Sequence, residues 1–174
     1  MQLTLDSGKN IFFTGCAGTG SHFCFAFYRT HVALTATTGI AARNLGKYGM
    51  TLHSWAGLVK ILREVDAYHG GNVDTFAQYI WNKLDSSPKK RWRSAKVLIV
   101  DEVSMLSKGV LETEALARIG RNSTEKFGGI QLIFSGDFLQ LPPVKGEFAF
   151  QSRMWSDLFP GSLQLYVVHR QEDN

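Results

Sequence analysis

Three short stretches of this sequence gather residue types that handle phosphate and water. The first, GCAGTGSH (15–22), follows the apolar run NIFFT (10–14). Its glycines let backbone N–H groups converge on an anion with no Cβ in the way, and a helix beginning just after would add partial positive charge. A complete phosphate loop, G-x-x-x-x-G-K-[ST], would carry Lys where this chain has Ser21 and a hydroxyl residue where it has His22. The second stretch, LIVDEVSM (98–105), ends an apolar run on two adjacent carboxylates. Magnesium takes hard oxygen ligands and keeps most of its waters, so Asp101 can hold the ion while Glu102 orients or deprotonates an attacking water. The third, FGGIQLIFSGDFLQLPPV (127–144), ends another apolar run at Gly136-Asp137, with Gln140 before Leu-Pro-Pro. Gly136 permits a tight turn and the two prolines stiffen the exit, which would hold Asp137 and Gln140 where polar groups sense a γ-phosphate. Each stretch alone has a plainer reading: a glycine turn, a strand end with two solvated acids, a structural loop. Taken together they favour a site for a nucleoside triphosphate and its metal.

Such a site needs a scaffold that carries distant segments to one edge. Apolar runs at 11–13, 32–36, 97–100, 130–134 and 163–168 read as strands. None alternates cleanly, as expected when both faces of a parallel sheet are covered. Helical spacing appears at 39–45, 54–65, 75–84 and 108–119. In the third of these Phe76, Tyr79, Ile80 and Leu84 share a face, and in the fourth Leu111, Ala115 and Ile119 do. Strands alternating with helices predict an open α/β sheet with its polar residues at the carboxyl ends of the strands. Breakers fall at His69-Gly70-Gly71-Asn72, Ser86-Ser87-Pro88 and Gly128-Gly129, the first two bracketing a possible local insertion. The basic run Lys89-Lys90-Arg91-Trp92-Arg93 reads first as a solvated helix end and second as a nucleic-acid contact.

Composition narrows the class. At 174 residues, 44% hydrophobic and 20% charged, the chain fits one globular domain with a real core. No apolar run approaches the roughly 20 residues of a membrane span, and the N-terminus lacks the pattern of a signal peptide. Cys16 and Cys24 lie close together, one of them inside the glycine loop, which points to a reducing intracellular setting rather than a disulfide framework. A net charge of +4 permits an anionic partner without establishing one.

The chain resembles the Pif (petite integration frequency) DNA helicases of the five-prime-to-three-prime branch of superfamily one. The resemblance is carried by GKNIFFTGCAGTG (8–20), TATTGIAARNLG (35–46), MTLHSWAG (50–57), RWRSAKVLIVDEVSML (91–106), FGGIQLIFSGDFLQLPPV (127–144) and the tail FQSRMWSDLF…LQLYVVHRQ (150–171). It implies a RecA-like P-loop NTPase domain over 1–174, a parallel sheet flanked by helices, equivalent to the first motor domain. It further implies ATP and Mg2+ as cofactors, single-stranded DNA and DNA junctions as partners, and no membrane. A monomer in the nucleus or mitochondrion, acting in DNA repair, recombination and telomere maintenance, completes the expectation. By residue, Gly15, Cys16, Ala17, Gly18, Thr19, Gly20 and Ser21 match the phosphate loop, with Ser21 and Asp101 toward the metal. Asp101 and Glu102 match the metal-binding and water-activating pair. Asp137 and Gln140 match the motif linking nucleotide state to DNA grip, and Arg170 an arginine that reaches the γ-phosphate, for which its guanidinium fork is suited. Thr38, Gly39 and His53 fall in segments that touch single-stranded DNA, where hydroxyls and backbone N–H groups hold phosphates and rings stack on bases. The plainer roles are helix capping for Thr38 and core packing for Trp55.

The chain also departs from that pattern. GTGSH stands where the family has GTGKS, either by substitution at Ser21 and His22 or by deletion of the Lys, and a misjoined exon would look the same. The loop-to-TATTGIAA distance is short, and FCFAFY (23–28) is aromatic where a leucine- and arginine-rich helix is expected. The sequence begins too late for the upstream glutamine motif and stops just after Arg170-Gln171, so a chain without a second motor domain is expected not to unwind DNA alone. Two alternatives remain: a non-catalytic nucleotide- or DNA-binding remnant, and a fragment of a RecD-like helicase.

Overall fold

Apolar runs become parallel strands in the computed structural model, which describes residues 8–15, 31–66 and 72–165. They are β1 (Ile11–Gly15), β2 (Val32–Ala36), β4 (Val97–Asp101), β5 (Gln131–Ser135) and β6 (Ser162–Leu165). A two-residue β3 (Met50–Thr51), which the sequence pattern does not flag, completes a six-stranded sheet of order β3-β2-β4-β5-β1-β6. Every pairing is parallel, with Leu34 opposite Ile99, Ile99 opposite Ile133 and Phe13 opposite Ser135.

Both faces are covered, which is why the strands do not alternate. Leu98, Val100, Leu132 and Phe134 point into the main core, while Ile99 and Ile133 pack with Phe13, Leu34 and Leu45 on the other side. The helices are α1 (Gly39–Asn44), α2 (Leu52–Ala56), α3 (Leu62–Asp66), α4 (Val73–Lys83), α5 (Ser86–Ser94), α6 (Lys108–Leu111), α7 (Ala115–Arg121) and α8 (Arg153–Leu158). Among the described residues none is long and apolar enough to cross a membrane.

Two helices expected to be continuous are broken. The 54–65 stretch divides because Gly57, at φ +79°, closes α2 in the left-handed region that glycine adopts without strain. The 108–119 stretch divides at a 3₁₀ turn, Glu112–Glu114, which carries Glu114 inward. The buried Glu114 carboxylate accepts from Arg118 Nε at 3.0 Å and from the Phe127 backbone N–H at 3.0 Å. That second bond pins a left-handed run, Phe127, Gly128 and Gly129, which feeds β5. A Cβ on Gly128 would lie 2.7 Å from the Ala117 carbonyl oxygen, so the close approach of α7 excludes any larger residue.

Ser86-Ser87-Pro88 starts α5 rather than breaking the chain, since proline is tolerated in a first turn where its missing N–H costs no helical bond. The basic run 89–93 therefore lies within a helix, and its inner half is structural. Arg91 donates from Nε to the Trp55 carbonyl at 2.7 Å and from Nη2 to that of Ser54 at 2.8 Å. Trp92 donates to the Ala56 carbonyl at 3.1 Å, and its ring meets Trp55 edge-on at 4.6 Å. Trp55 is thus a core residue. Lys90 and Arg93 stay exposed.

Removing the Trp92 ring leaves a large cavity and an unpaired carbonyl. Trp92→Ala is expected to lose about 3–5 kcal/mol in urea unfolding, and Trp92→Phe, which keeps most of the packing, distinctly less.

Candidate nucleotide site

The carboxyl ends of β1, β5 and β4 stand side by side. Gly15 ends β1, Ser135 ends β5 and Asp101 ends β4, so the glycine loop and the paired acids leave one edge with β5 between them. At about 4.8 Å per strand, β1 and β4 run roughly 10 Å apart.

Asp101 is 4% exposed, and its Oδ1 accepts a 2.6 Å hydrogen bond from Ser135 Oγ, itself fully buried. Among the described residues no protein group donates to Oδ2, and no Lys or Arg pairs with this carboxylate. A buried carboxylate oxygen without a donor is costly unless a cation or water meets it. A hard cation holding its own waters is chemically suited to that oxygen, so the residues present fit a magnesium ion.

Glu102 takes left-handed angles, φ 56° and ψ 46°, which are unusual for a residue with a Cβ. Two contacts flank it. Thr37 donates its hydroxyl to the Glu102 carbonyl at 2.7 Å, and its N–H reaches the Asp101 carbonyl at 3.1 Å. From the other side, Gly136 approaches so closely that a Cβ there would lie 2.8 Å from the Val103 nitrogen. Gly136 therefore serves this close approach, while the turn expected of it is made by the next residues. Gln140 N donates to the Asp137 carbonyl at 2.9 Å, and Leu139 N to Asp137 Oδ1 at 3.0 Å.

The turn is anchored by Phe138, whose ring lies 5.5 Å from Phe12 of β1, 5.4 Å from Trp155 and 4.8 Å from Phe150. The loop returns at Glu147, which binds Lys108 Nζ at 2.7 Å, and this hydrogen bond holds the ammonium pKa above the usual lysine range. Gln140 is exposed, as are Leu139 and Leu141.

Of the residues anticipated from sequence, Gly15, Asp101, Glu102 and Asp137 with Gln140 thus lie at or just beyond three neighbouring strand ends. Cys16, Ala17, Gly18, Thr19, Gly20, Ser21 and Arg170 lie outside the described residues. Thr38 follows β2 and caps α1, accepting from Ala41 N at 3.1 Å, with Gly39 exposed beside it. His53 is half-buried within α2, two residues past the capping Thr51. Sequence reasoning missed Ser135 and Thr37. Ser135 sits in an apolar strand and Thr37 beside a more conspicuous threonine, and the sole signal was a hydroxyl immediately after or at the end of each run.

Comparison with known proteins agrees with this architecture. The profile of the family described as PIF1-like helicase matches residues 2–174. The ATP-dependent DNA helicase PIF1 of Danio rerio is 42% identical over 178 residues, covering 96% of this chain and 26% of that protein. The crystal structure of Pif1 helicase from Candida albicans superposes with a TM-score of 0.80 at 37% identity, over 98% of this chain and 38% of that one. Pif1 helicase from Bacteroides, solved in complex with ADP-AlF3 and ssDNA, gives 0.75 at 28% identity over 99% and 42%. The chain spans about a quarter of the length of the curated relatives it matches.

The two glycines on this edge should respond oppositely to a methyl group. Gly136→Ala is expected to lose about 1–3 kcal/mol through overpacking against Val103. Gly39→Ala, where a Cβ meets nothing within 4 Å, should stay within about 0.5 kcal/mol. Denaturant titration of both variants checks the contrast.

Proposed function

Because the chain belongs to the PIF1-like helicase family, we propose that it is the ATP-binding part of a DNA helicase motor, the first RecA-like domain. The observation that carries this reading is the single edge shared by Gly15, the Asp101-Glu102 pair and the Asp137 turn. In it, backbone N–H groups of the loop from Gly15 to Ser21 cradle the phosphates. Asp101, with the Ser21 hydroxyl, holds Mg2+, which when bound neutralises phosphate charge. Glu102 orients the attacking water, while Gln140 and Arg170 respond to the γ-phosphate. The ADP-AlF3 held by the Bacteroides relative supports the nucleotide assignment.

Single-stranded DNA is the partner this reading carries, supported by the same relative and by a further Bacteroides Pif1 structure bound to ssDNA. Thr38, Gly39 and His53 would meet it, the first two through the exposed start of α1. The wider role is five-prime-to-three-prime unwinding of nuclear or mitochondrial DNA in repair, recombination and telomere maintenance, junctions included, by a monomer.

A second reading, a nucleotide- or DNA-binding remnant without turnover, is favoured by one feature, Ser21-His22 in place of Lys-Ser. Serine cannot supply the positive charge that the lysine of a complete loop brings to the β- and γ-phosphates. The combined change Ser21→Lys and His22→Ser is expected to raise magnesium-dependent ATP hydrolysis by about 10²–10³-fold, with further stimulation by single-stranded DNA. Adding Glu102→Gln should abolish the gain. A restored loop that gives no gain favours the remnant.

A further inference from the structure

We propose that Ser135 is a positioning residue for the metal: its hydroxyl occupies Oδ1 of Asp101 and so reserves Oδ2 for the ion and its water. The assignment rests on the nucleotide-site reading above and adds to it a residue not assigned there.

Three observations carry it. The Ser135 Oγ to Asp101 Oδ1 bond is 2.6 Å and links two buried side chains on strands that are direct neighbours. Such a short bond to a carboxylate is charge-assisted and directional, so it fixes rotation about the Asp101 side chain. Its strand lies between the glycine-loop strand and the acid strand, which leaves Ser135 between the two. Among the described residues Oδ2 has no protein donor, so the Ser135 hydroxyl takes up only one of the two carboxylate oxygens. Outer-shell hydrogen bonds of this kind set ligand orientation and basicity, and losing one lowers metal affinity by about 10- to 100-fold.

The same sheet offers a matched control. Thr35 is fully buried and donates its hydroxyl to the Ile99 carbonyl at 2.6 Å rather than to the Asp101 carboxylate. Thr35→Val therefore removes an equally short buried hydroxyl bond without touching the acid.

The test uses the unaltered chain and the variants Ser135→Ala, Ser135→Cys and Thr35→Val. Affinity for a fluorescent ADP derivative is measured in EDTA, and Mn2+ is then titrated into the complex to obtain an apparent metal dissociation constant. Ser135→Ala is expected to raise that constant by about 10- to 100-fold, with ADP affinity in EDTA unchanged. Ser135→Cys, a weaker donor of similar size, should fall between, and also answers the question should the alanine variant not fold. Thr35→Val should bind Mn2+ as the unaltered chain does. Unchanged Mn2+ binding in both Ser135 variants overturns the assignment, as does equal weakening in Thr35→Val. Failure of the unaltered chain to bind ADP and Mn2+ at all would instead overturn the nucleotide-site reading beneath it.

Discussion

A parallel sheet buried on both faces has only its strand ends left for polar chemistry, and that constraint organises this molecule. Ile99 and Ile133 face one layer while Leu98, Val100, Leu132 and Phe134 face the other, so a charge midway along either strand would be desolvated without a partner. The acids accordingly appear at the carboxyl end of β4, where the backbone leaves the sheet. Parallel register then carries residues remote in sequence to the same height. Phe13 pairs with Ser135, and Val100 with Phe134, so the ends of β5 and β4 are level and β1 runs two residues further, to Gly15. The edge proposed to hold nucleotide follows from the packing of apolar side chains as much as from the polar residues on it.

The same packing links the edge to its surroundings. Phe12 and Phe13 are consecutive and, by strand alternation, serve opposite layers. Phe12 meets Phe138, Trp155 and Phe159, which joins the strand entering the glycine loop to the turn that carries Asp137 and Gln140. Aromatic contacts of this size resist small displacements because interiors are close-packed. Movement of either segment therefore requires the other to repack, which couples the end of β1 to the exposed residues Leu139 to Leu141.

Much of this was legible because strand burial and strand-end acids leave strong local signals. Residues 97–101 advertise both a strand and its terminal carboxylate, and the FGG of 127–129 marks a backbone bend before the next strand. What was not legible depends on contacts between segments. Gly57 ends α2 although the apolar spacing runs on past it, and the inward Glu114 breaks the 108–119 stretch for the sake of Phe127, thirteen residues away. Ser135 and Thr37 show the same limit at the site. Nothing local distinguishes Ser135 from a strand residue tolerated in the core, and only its juxtaposition with Asp101, thirty-four positions earlier, gives its hydroxyl a purpose.

The altered phosphate loop can be weighed in the same terms. Asp101 and Glu102 are held by Ser135, Thr37 and the close pass of Gly136, all of which stand independently of a lysine at position 21. The acid edge can therefore form in this chain whatever the loop does. Holding it has a cost, because Asp101 is nearly inaccessible and faces no cation among the described residues. A strand end needed only for folding would be served as well by an amide, which fits the same space and accepts the Ser135 hydroxyl without a buried charge. A carboxylate there is eased by positive charge or hydrogen-bond donors that meet it from beyond the described residues. That imbalance is what the proposed ion-binding role of Asp101 would relieve.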